Sequence, residues 1–208
     1  MSHAVIVGLT GQTGAGKSTV SAIFAEQGFA LIDADQISRY VTQPGMPCLA
    51  ELFDFFGEEI RDADGSLNRK ALAKIAFTNK QKLESLNSIC HPFITEEIVA
   101  RIDRFRDEGK RLILLDAPTL FESRASDLCD LIISVLADAP LRLQRIMQRD
   151  SLTEQAARER MGAQLPESFF VEHSDYLIRN NADQTALCAL SREVADKIKA
   201  YYTAAVCG

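Results

Sequence analysis

The chain has 208 residues, enough to bury an apolar core within one large domain. Its formal net charge of −6 argues against a general nucleic-acid coat or a membrane-surface binder. No segment has the length and apolar character of a transmembrane helix. The five cysteines form no CxxC pair, which predicts reduced and mostly buried thiols. These features predict a cytoplasmic protein with no nucleic-acid or membrane partner. We also expect it to be a monomer.

A glycine-rich stretch near the start fits the phosphate-binding loop pattern G-x-x-x-x-G-K-[ST] at every fixed position, because residues 11–18 read G-Q-T-G-A-G-K-S. An apolar run at residues 5–9 predicts a buried strand before the loop. A helical pattern from Lys17 predicts a helix that stops before Gly28. Glycines let backbone N–H groups face a polyphosphate, and the helix dipole favours the same anion. The predicted nucleotide-binding residues of the loop are Gly14, Ala15, Gly16, Lys17, Ser18 and Thr19, with the Ser18 hydroxyl a candidate Mg²⁺ ligand.

The next part of the chain is predicted to leave the sheet and form helices. Residues 29–32 predict a second strand ending at Asp33, and the helix after it is broken by Pro44 and Gly45. No strand pattern occurs from residue 48 to 109. We expect helices at residues 49–56, 69–77, 80–90 and 93–108, with the last two separated at His91 and Pro92. This region predicts a helical insertion, about residues 43–109, that could hold a ligand.

Strand patterns then resume. Residues 112–115 end at Asp116, residues 131–136 form another continuous apolar run, and residues 176–178 precede Asn180 and Asn181. The crossover helices predict an α/β protein with a doubly wound five-stranded parallel sheet. We expect a single domain with its core at about residues 1–42, 110–139 and 174–208, and a lid at about residues 140–173. Ligands of such sheets lie at the carboxyl ends of the strands.

Charged residues at these strand ends are candidates for phosphoryl-transfer chemistry. Asp33 could hold the proton of an attacking hydroxyl, or it could only cap the following helix. Asp116 follows a buried strand as the acidic residue of a Walker B strand does, and it could hold Mg²⁺ through water, or it could be a turn residue. Arginines at 142, 145 and 149 share a predicted helix stripe, and 158 and 160 follow. They could close over a nucleotide, or they could form a solvated basic face.

The combined motifs resemble those of the dephospho-coenzyme A kinase family over nearly the whole chain. The matching segments are V-G-L-T-G-x-x-G-A-G-K-S-T-V at residues 7–20, I-D-A-D at 32–35, Pro44-Gly45, Leu67-x-Arg69 with Leu72 and Phe77, His91-Pro92, Asp116-x-Pro118, Leu120-Phe121-Glu122, Arg149-Asp150, Arg160 with Gln164, and Asn180-Asn181. The phosphate loop alone is shared by many kinases and ATPases. The order of the other motifs is much more specific.

The resemblance implies that ATP phosphorylates the ribose 3′-hydroxyl of dephospho-coenzyme A, giving coenzyme A and ADP. It implies that Asp33 is the base, that Lys17 and Ser18 serve ATP and Mg²⁺, and that Arg149 comes from the lid. The residues implied to face the acceptor are Asp33, Arg69, His91, Pro118, Leu120, Phe121, Glu122 and Arg160, and those expected near the adenine of ATP are Asn180 and Asn181. Gln12-Thr13 and Thr119 depart from the usual family residues. The departure at Thr119 concerns acceptor fit.

Two other functions remain open at the level of sequence. The chain could be a P-loop kinase for another small acceptor, such as gluconate, shikimate or a nucleoside monophosphate. It could also be a non-catalytic nucleotide switch or a regulatory ATPase. The predicted helical insertion and Asp33 favour a kinase, because a switch needs neither an acceptor site nor a base.

Overall fold

The structure is a computed structural model that describes residues 4–76 and 78–207. The chain separates into two compact units. The first combines the chain up to Ile32 with the chain from Phe105 onward, and it contains most of the sheet. The second is Asp33–Arg104 and is built of helices.

In the described part of the chain, five strands form one sheet in the order β2-β3-β1-β4-β5. The strands are β1 (Val5–Gly11), β2 (Ala30–Asp33), β3 (Leu112–Asp116), β4 (Leu131–Leu136) and β5 (Tyr176–Arg179). The central strand β1 is buried along its whole length and pairs in parallel with β3 and β4. The predicted doubly wound parallel sheet is confirmed. The strands on one side of β1 are β3 and β2, and those on the other side are β4 and β5, so the strand order reverses at β1. Ligands of such sheets bind at the carboxyl end of the strands at this point, and we therefore expect a site at the carboxyl end of β1.

Helices connect these strands and make up the second unit. In chain order they are α1 (Lys17–Glu26), α2 (Ala34–Val41), α3 (Pro47–Phe56), α4 (Arg69–Ala76), α5 (Lys80–Asp107), α6 (Ala139–Asp150), α7 (Glu154–Gly162), α8 (Glu167–Glu172) and α9 (Gln184–Cys207). Short 3-10 helices occur at Glu58–Ile60 and Ala125–Leu128. None of the described helices combines the length and apolarity needed to cross a bilayer.

The core of the first unit lies between the sheet and the helices α1 and α9. It contains alternate residues of β1, the α1 residues Val20 and Phe24, and the α9 residues Val194 and Ile198. The ring of Phe24 packs on Phe29, with centroids 4.9 Å apart. This packing holds α1, the helix that follows the glycine-rich loop, against the sheet.

The prediction of two helices divided at His91 and Pro92 is wrong. The helix α5 is continuous from Lys80 to Asp107 with Pro92 inside it. A proline within a helix removes one backbone hydrogen bond and costs about 3 kcal/mol. Ile98 and Ile102 are buried further along the same helix, so tertiary packing overrides the local penalty. The helix ends at Asp107, one residue before the predicted end. Gly109 follows it with a φ of +78°, and its N–H donates to the Arg106 carbonyl over 3.0 Å.

Smaller differences concern segments whose pattern is short. The strand β1 continues beyond residue 9 to Gly11, and α8 was not predicted. The helix predicted at residues 69–77 is described over Arg69–Ala76, and Phe77 lies outside the described residues. The cysteine prediction was only partly right, since the four cysteines with described side chains are free thiols but only Cys48 is fully buried.

Candidate functional site

The phosphate loop has the backbone geometry that its sequence predicts. Gly14 and Gly16 have φ values of +77° and +100°, which L side chains rarely adopt. A Cβ on Gly16 would lie 2.5 Å from Asn180 Nδ2. Gly16 is the N-cap of α1 and supplies no side-chain cap bond, so the first N–H groups of the helix are left for a ligand. The loop and the helix therefore form an anion-binding site.

Side chains from distant parts of the chain hold this loop in place. The Asn180 side chain donates to the Ala15 carbonyl over 2.8 Å, and the Thr13 N–H donates to Gln164 Oε1 over 2.7 Å. Arg145 donates to the Asn180 carbonyl over 3.2 Å. Asn181 instead forms a reciprocal pair with Asp138, with its amide donating to the carboxylate and its carbonyl accepting from the Asp138 N–H. The adenine contacts expected of both asparagines stay a prediction.

The Lys17 ammonium forms an ion pair with the Asp116 carboxylate. The two residues follow neighbouring parts of the sheet, because Lys17 begins α1 after β1, and Asp116 ends the adjacent strand β3, where it lies opposite Leu9. Their side chains are 20% and 11% exposed, so the pair is partly shielded from water. The lysine is thus held at the mouth of the loop, where a polyphosphate would need a cation.

The oxygen atoms of Ser18 and Asp116 are the candidate metal ligands of this site. Hydroxyl and carboxylate oxygens are ligands that Mg²⁺ accepts. Within the described residues, no group of three or more His, Cys, Asp or Glu side chains is placed to hold a metal ion. Mg²⁺ commonly binds through one or two protein ligands, water and substrate phosphates, so these two residues fit it.

Two arginines of the predicted α6 stripe, Arg142 and Arg149, have different surroundings. Arg142 is buried, its Nε donates to the Ala137 carbonyl over 3.0 Å, and burial lowers its pKa. Arg149 is exposed and its guanidinium donates two hydrogen bonds of 2.8 Å to Asp150. Arg160 donates to the same carboxylate over 2.7 Å. The bond from Arg149 lowers the pKa of Asp150 and raises the pKa of Arg149. The candidates Arg149 and Arg160 are thus gathered on one carboxylate, whereas Arg142 is structural.

The stretch from Pro118 to Glu122 mixes buried and exposed residues. Leu120 is fully buried and lies under β1, where a Cβ on Gly8 would be 2.8 Å from it. Phe121 packs edge-on against Phe169, with ring centroids 5.1 Å apart. Pro118 accepts a 3.2 Å bond from the Thr10 hydroxyl through its carbonyl, and Glu122 is exposed. Their acceptor roles stay predictions.

The aromatic residues of α8 and its C-cap were not predicted as a cluster. Phe169 and His173 have helical i, i+4 spacing, and their rings stack with centroids 4.0 Å apart.

The second unit contains the other acceptor candidates. Asp33 caps α2, accepting from the Gln36 N–H and from Gln36 Nε2, each over 3.0 Å. Arg69 is exposed and donates to the Thr42 hydroxyl over 2.7 Å, at the far end of α2. His91 lies within α5, and burial lowers its pKa. The capping function of Asp33 is therefore observed, and each carboxylate oxygen retains a further acceptor position.

The parallel sheet, the glycine loop and the paired lysine together define a P-loop nucleotide-binding protein. The family model for dephospho-CoA kinase matches residues 5–186 of the chain. A dephospho-CoA kinase of Listeria monocytogenes is 42% identical over 175 residues, covering 84% of this chain and 88% of the relative. The chain belongs to the dephospho-CoA kinase family, which confirms the resemblance seen in its motifs.

Solved structures agree with this assignment. A Thermus thermophilus protein superposes with a TM-score of 0.80 at 28% identity, covering 94% of this chain and 98% of that one. A dephospho-CoA kinase from Campylobacter jejuni gives a TM-score of 0.70 at 27% identity, with coverage of 93% and 96%. The similarity extends over nearly the full length of both proteins.

Proposed function

We propose that the protein transfers the γ-phosphoryl group of ATP to the ribose 3′-hydroxyl of dephospho-coenzyme A, giving coenzyme A and ADP. The observation that carries this proposal is the formed phosphate loop, with Lys17 held by Asp116, in a chain that the dephospho-CoA kinase model matches from residue 5 to 186. In the balanced reaction the acceptor oxygen bonds to the γ-phosphorus, the bond to the β-phosphate oxygen breaks, and the hydroxyl proton is released.

The phosphate loop binds the donor. The loop and the N-terminus of α1 bind the β- and γ-phosphates, and this end of the helix adds its partial positive charge. Lys17 neutralises the outer phosphates, and its pairing with Asp116 positions the ammonium before ATP arrives. Phosphoryl transfer depends mainly on positioning and on charge neutralisation, which this arrangement supplies.

Ser18 and Asp116 are the residues that would hold Mg²⁺, the hydroxyl directly and the carboxylate through water. When bound, the ion neutralises charge on the β- and γ-phosphate oxygens. The all-oxygen character of these two side chains supports this assignment.

Asp33 is the proposed base. The hydrogen bonds from Gln36 fix the orientation of its carboxylate, and a base must be held within hydrogen-bonding reach of its proton. Asp33 is the last residue of β2, and carboxyl ends of parallel strands share one edge of a sheet. Capping and proton transfer are compatible, because an aspartate has several acceptor positions.

The remaining candidate residues are assigned either to the site of the donor, ATP, or to the site of the acceptor, dephospho-coenzyme A. Arg149 is proposed to neutralise transition-state charge from a lid of residues 140–173, and Asn180 and Asn181 to lie near the adenine of ATP. The acceptor is proposed to contact the helical insertion of residues 43–109 and the lid through Arg69, His91, Pro118, Leu120, Phe121, Glu122 and Arg160. The exposure of Arg69, Arg149 and Arg160 supports roles in binding a ligand.

The direct test is ADP release by the purified protein with ATP and Mg²⁺, with and without dephospho-coenzyme A. We expect release to depend on the acceptor and to match coenzyme A formation mole for mole. Equal release without the acceptor would indicate a regulatory ATPase. Release only with shikimate, gluconate or a nucleoside monophosphate would indicate another small-molecule kinase.

The free thiols of Cys48, Cys90, Cys129 and Cys188 support a reducing, cytoplasmic location. We propose that the enzyme acts there as a monomer. Size-exclusion chromatography with light scattering should give the mass of one chain, 23.0 kDa, and a stable dimer would contradict this.

A further inference from the structure

Two thiols of the second unit lie side by side although they are 42 residues apart in the chain. Cys48 is the second residue of α3 and Cys90 lies within α5, and their sulfur atoms are 3.8 Å apart, within hydrogen-bonding distance for sulfur. Cys48 is fully buried, whereas Cys90 is only half-buried, so a small molecule can reach the pair from the side of α5. Neither residue is among those proposed to bind ATP or the acceptor.

The surroundings of the pair favour a thiolate at Cys48. This residue lies in the first turn of α3, and the partial positive charge at the N-terminus of a helix stabilises a thiolate. The hydrogen bond with Cys90 lowers the pKa of Cys48, against the opposing effects of burial and of Glu51. The same bond, together with burial, raises the pKa of Cys90. One sulfur therefore loses its proton first while its neighbour stays a thiol, as in a pair of attacking and resolving cysteines.

The part of α5 next to Cys90 lacks one helical hydrogen bond. Pro92, two residues further along, has no N–H to donate to the Ser88 carbonyl. A disulfide bond of about 2.05 Å is shorter than the separation of the two sulfurs, so they must approach each other for a bond to form. The missing hydrogen bond makes α5 easier to shift at the position where this approach is needed.

We propose that Cys48 and Cys90 form a modification site at which a peroxide converts the two thiols into a disulfide. The Cys48 thiolate attacks one peroxide oxygen, the O–O bond breaks, and the leaving hydroxide takes up a proton to become water. The Cys90 thiol then attacks the sulfur of the resulting sulfenic acid, which forms the disulfide and releases a second water. In sum, two thiols and one hydrogen peroxide give one disulfide and two waters. In a reducing compartment such a disulfide is transient and acts as a redox sensor.

The disulfide acts on acceptor binding through Arg69. The charge of this guanidinium acts on the Cys90 thiol, and its side chain donates to the Thr42 hydroxyl over 2.7 Å. Thr42 ends α2, and a short turn joins it to the start of α3, where Cys48 lies. Movement of Cys48 toward Cys90 therefore displaces the partner of Arg69. This step rests on the proposed function, in which Arg69 contacts the acceptor.

The chemical test treats the reduced protein with hydrogen peroxide and maps its peptides by mass spectrometry without reduction. We expect a Cys48–Cys90 linked peptide, with the loss of two hydrogen atoms, that dithiothreitol returns to two thiols. Cys129 is an internal control that should stay a thiol, because burial and nearby carboxylates raise its pKa to about 12. An oxidised protein in which Cys48 and Cys90 remain thiols, or are linked to other cysteines, would overturn the proposal.

Two variants separate the pair from other thiols. In Cys90→Ser the sulfenic acid of Cys48 has no resolving thiol, so dimedone should label Cys48 and no disulfide should form. Cys188→Ser is the matched control, because Cys188 is also half-buried but lies on α9 in the first unit. It should form the linked peptide as readily as the unmodified protein. Loss of the linked peptide in Cys188→Ser, or its presence in Cys90→Ser, would contradict the assignment.

The functional test compares steady-state kinetics before and after oxidation, with peroxide removed by catalase. The acceptor is supplied as S-methyl dephospho-coenzyme A, because its free thiol would reduce the disulfide. We expect oxidation to raise KM for this acceptor about threefold or more, with KM for ATP unchanged, and dithiothreitol to reverse the rise. Cys90→Ser should have the normal KM with or without peroxide.

The remaining outcomes distinguish the disulfide from the proposed function. A linked peptide with an unchanged acceptor KM, or with equal rises for both substrates, would overturn the action on the acceptor through Arg69. Failure of the reduced protein to phosphorylate dephospho-coenzyme A would overturn the proposed function, whereas the mass spectrometry would still decide whether Cys48 and Cys90 form a disulfide.

Discussion

The side-chain amide of Asn180 donates a 2.8 Å hydrogen bond to the backbone carbonyl of Ala15, 165 residues earlier in the chain. Asn180 is only 7% exposed, and its own carbonyl accepts from Arg145. The residue after β5 thus braces the phosphate loop after β1, and α6 braces that residue in turn. A position that the family resemblance assigns to adenine binding also has a structural task.

We expect Asn180→Ala to destabilise the protein by about 1–3 kcal/mol, because a buried carbonyl loses its donor. ATP affinity should fall as well, since Ala15 belongs to the loop. Urea unfolding and ATP titration measure the two effects. Asn181→Ala is the matched control, and it should lose under about 1 kcal/mol because its pair with Asp138 is exposed. Equal stability of the two variants would show that the brace contributes nothing.

Gly16→Ala should abolish ATP binding. The new Cβ would meet Asn180 at 2.5 Å, in a backbone with φ of +100°. Gly28→Ala separates backbone strain from the steric clash. Gly28 has a φ of +90°, but no atom lies within 4 Å of an added Cβ. The control should lose about 1–2 kcal/mol from the backbone alone and still bind ATP. Thermal unfolding and ATP titration give the comparison, and retained ATP binding in Gly16→Ala would refute the close-approach explanation.

Lys17→Ala should nearly abolish turnover, because the outer phosphates lose their cation. The change also leaves the Asp116 carboxylate without its lysine, which should weaken ATP binding further through repulsion. Steady-state kinetics with dephospho-coenzyme A measure the loss. Lys197→Ala removes an exposed lysine of α9 that pairs with Glu193 and should leave the rate unchanged. A near-normal kcat for Lys17→Ala would show that the lysine is not part of the donor site.

Asp33→Asn distinguishes a base from a helix cap. Asparagine caps helices about as well as aspartate, so stability should change little. It cannot accept the hydroxyl proton, so kcat should fall by about 10²-fold or more while ATP still binds. Rate measurements and thermal unfolding on the same preparation provide both readings. Normal turnover would leave Asp33 with its capping function alone.

Cys129 should resist alkylation in the folded protein. Burial, assisted by the negative charges of Asp130 and Asp127, raises the pKa of this thiol to about 12. At pH 8 it is therefore protonated, and the thiol is far less nucleophilic than the thiolate. Reactivity should increase as the pH approaches 12 or when the chain is unfolded in urea. Mass spectrometry of iodoacetamide-treated protein would show this, and rapid labelling of native Cys129 at pH 8 would contradict it.

Much of the fold could be predicted because the deciding signals are local. The apolar runs at residues 112–115 and 131–136, the second interrupted only by Ser134, both form strands within a residue of the predicted bounds. The phosphate loop was predicted for the same reason, since its glycines are adjacent in sequence and act on their own backbone. Gly16 and Lys17 needed no distant partner to be recognised.

Features that depend on packing between distant residues could not be predicted from local sequence signals. Pro92 indicates a helix break, yet α5 continues because buried side chains beyond it offset the local penalty. Arg142 and Arg149 share one helical stripe, yet the first is buried against a carbonyl and the second is exposed beside Asp150. Sequence spacing shows which residues share a helix face but not what that face contacts.

The sequence by itself determined that a polyphosphate loop joins a strand to a helix, and its ordered motifs indicated the family. Only the tertiary structure decided that Asn180 supports Ala15 and that Asp116 holds Lys17. It alone brought the thiols of Cys48 and Cys90 together. The physical reason is distance along the chain: backbone conformation follows from neighbouring residues, whereas contacts between remote residues form only when the sheet and helices have packed.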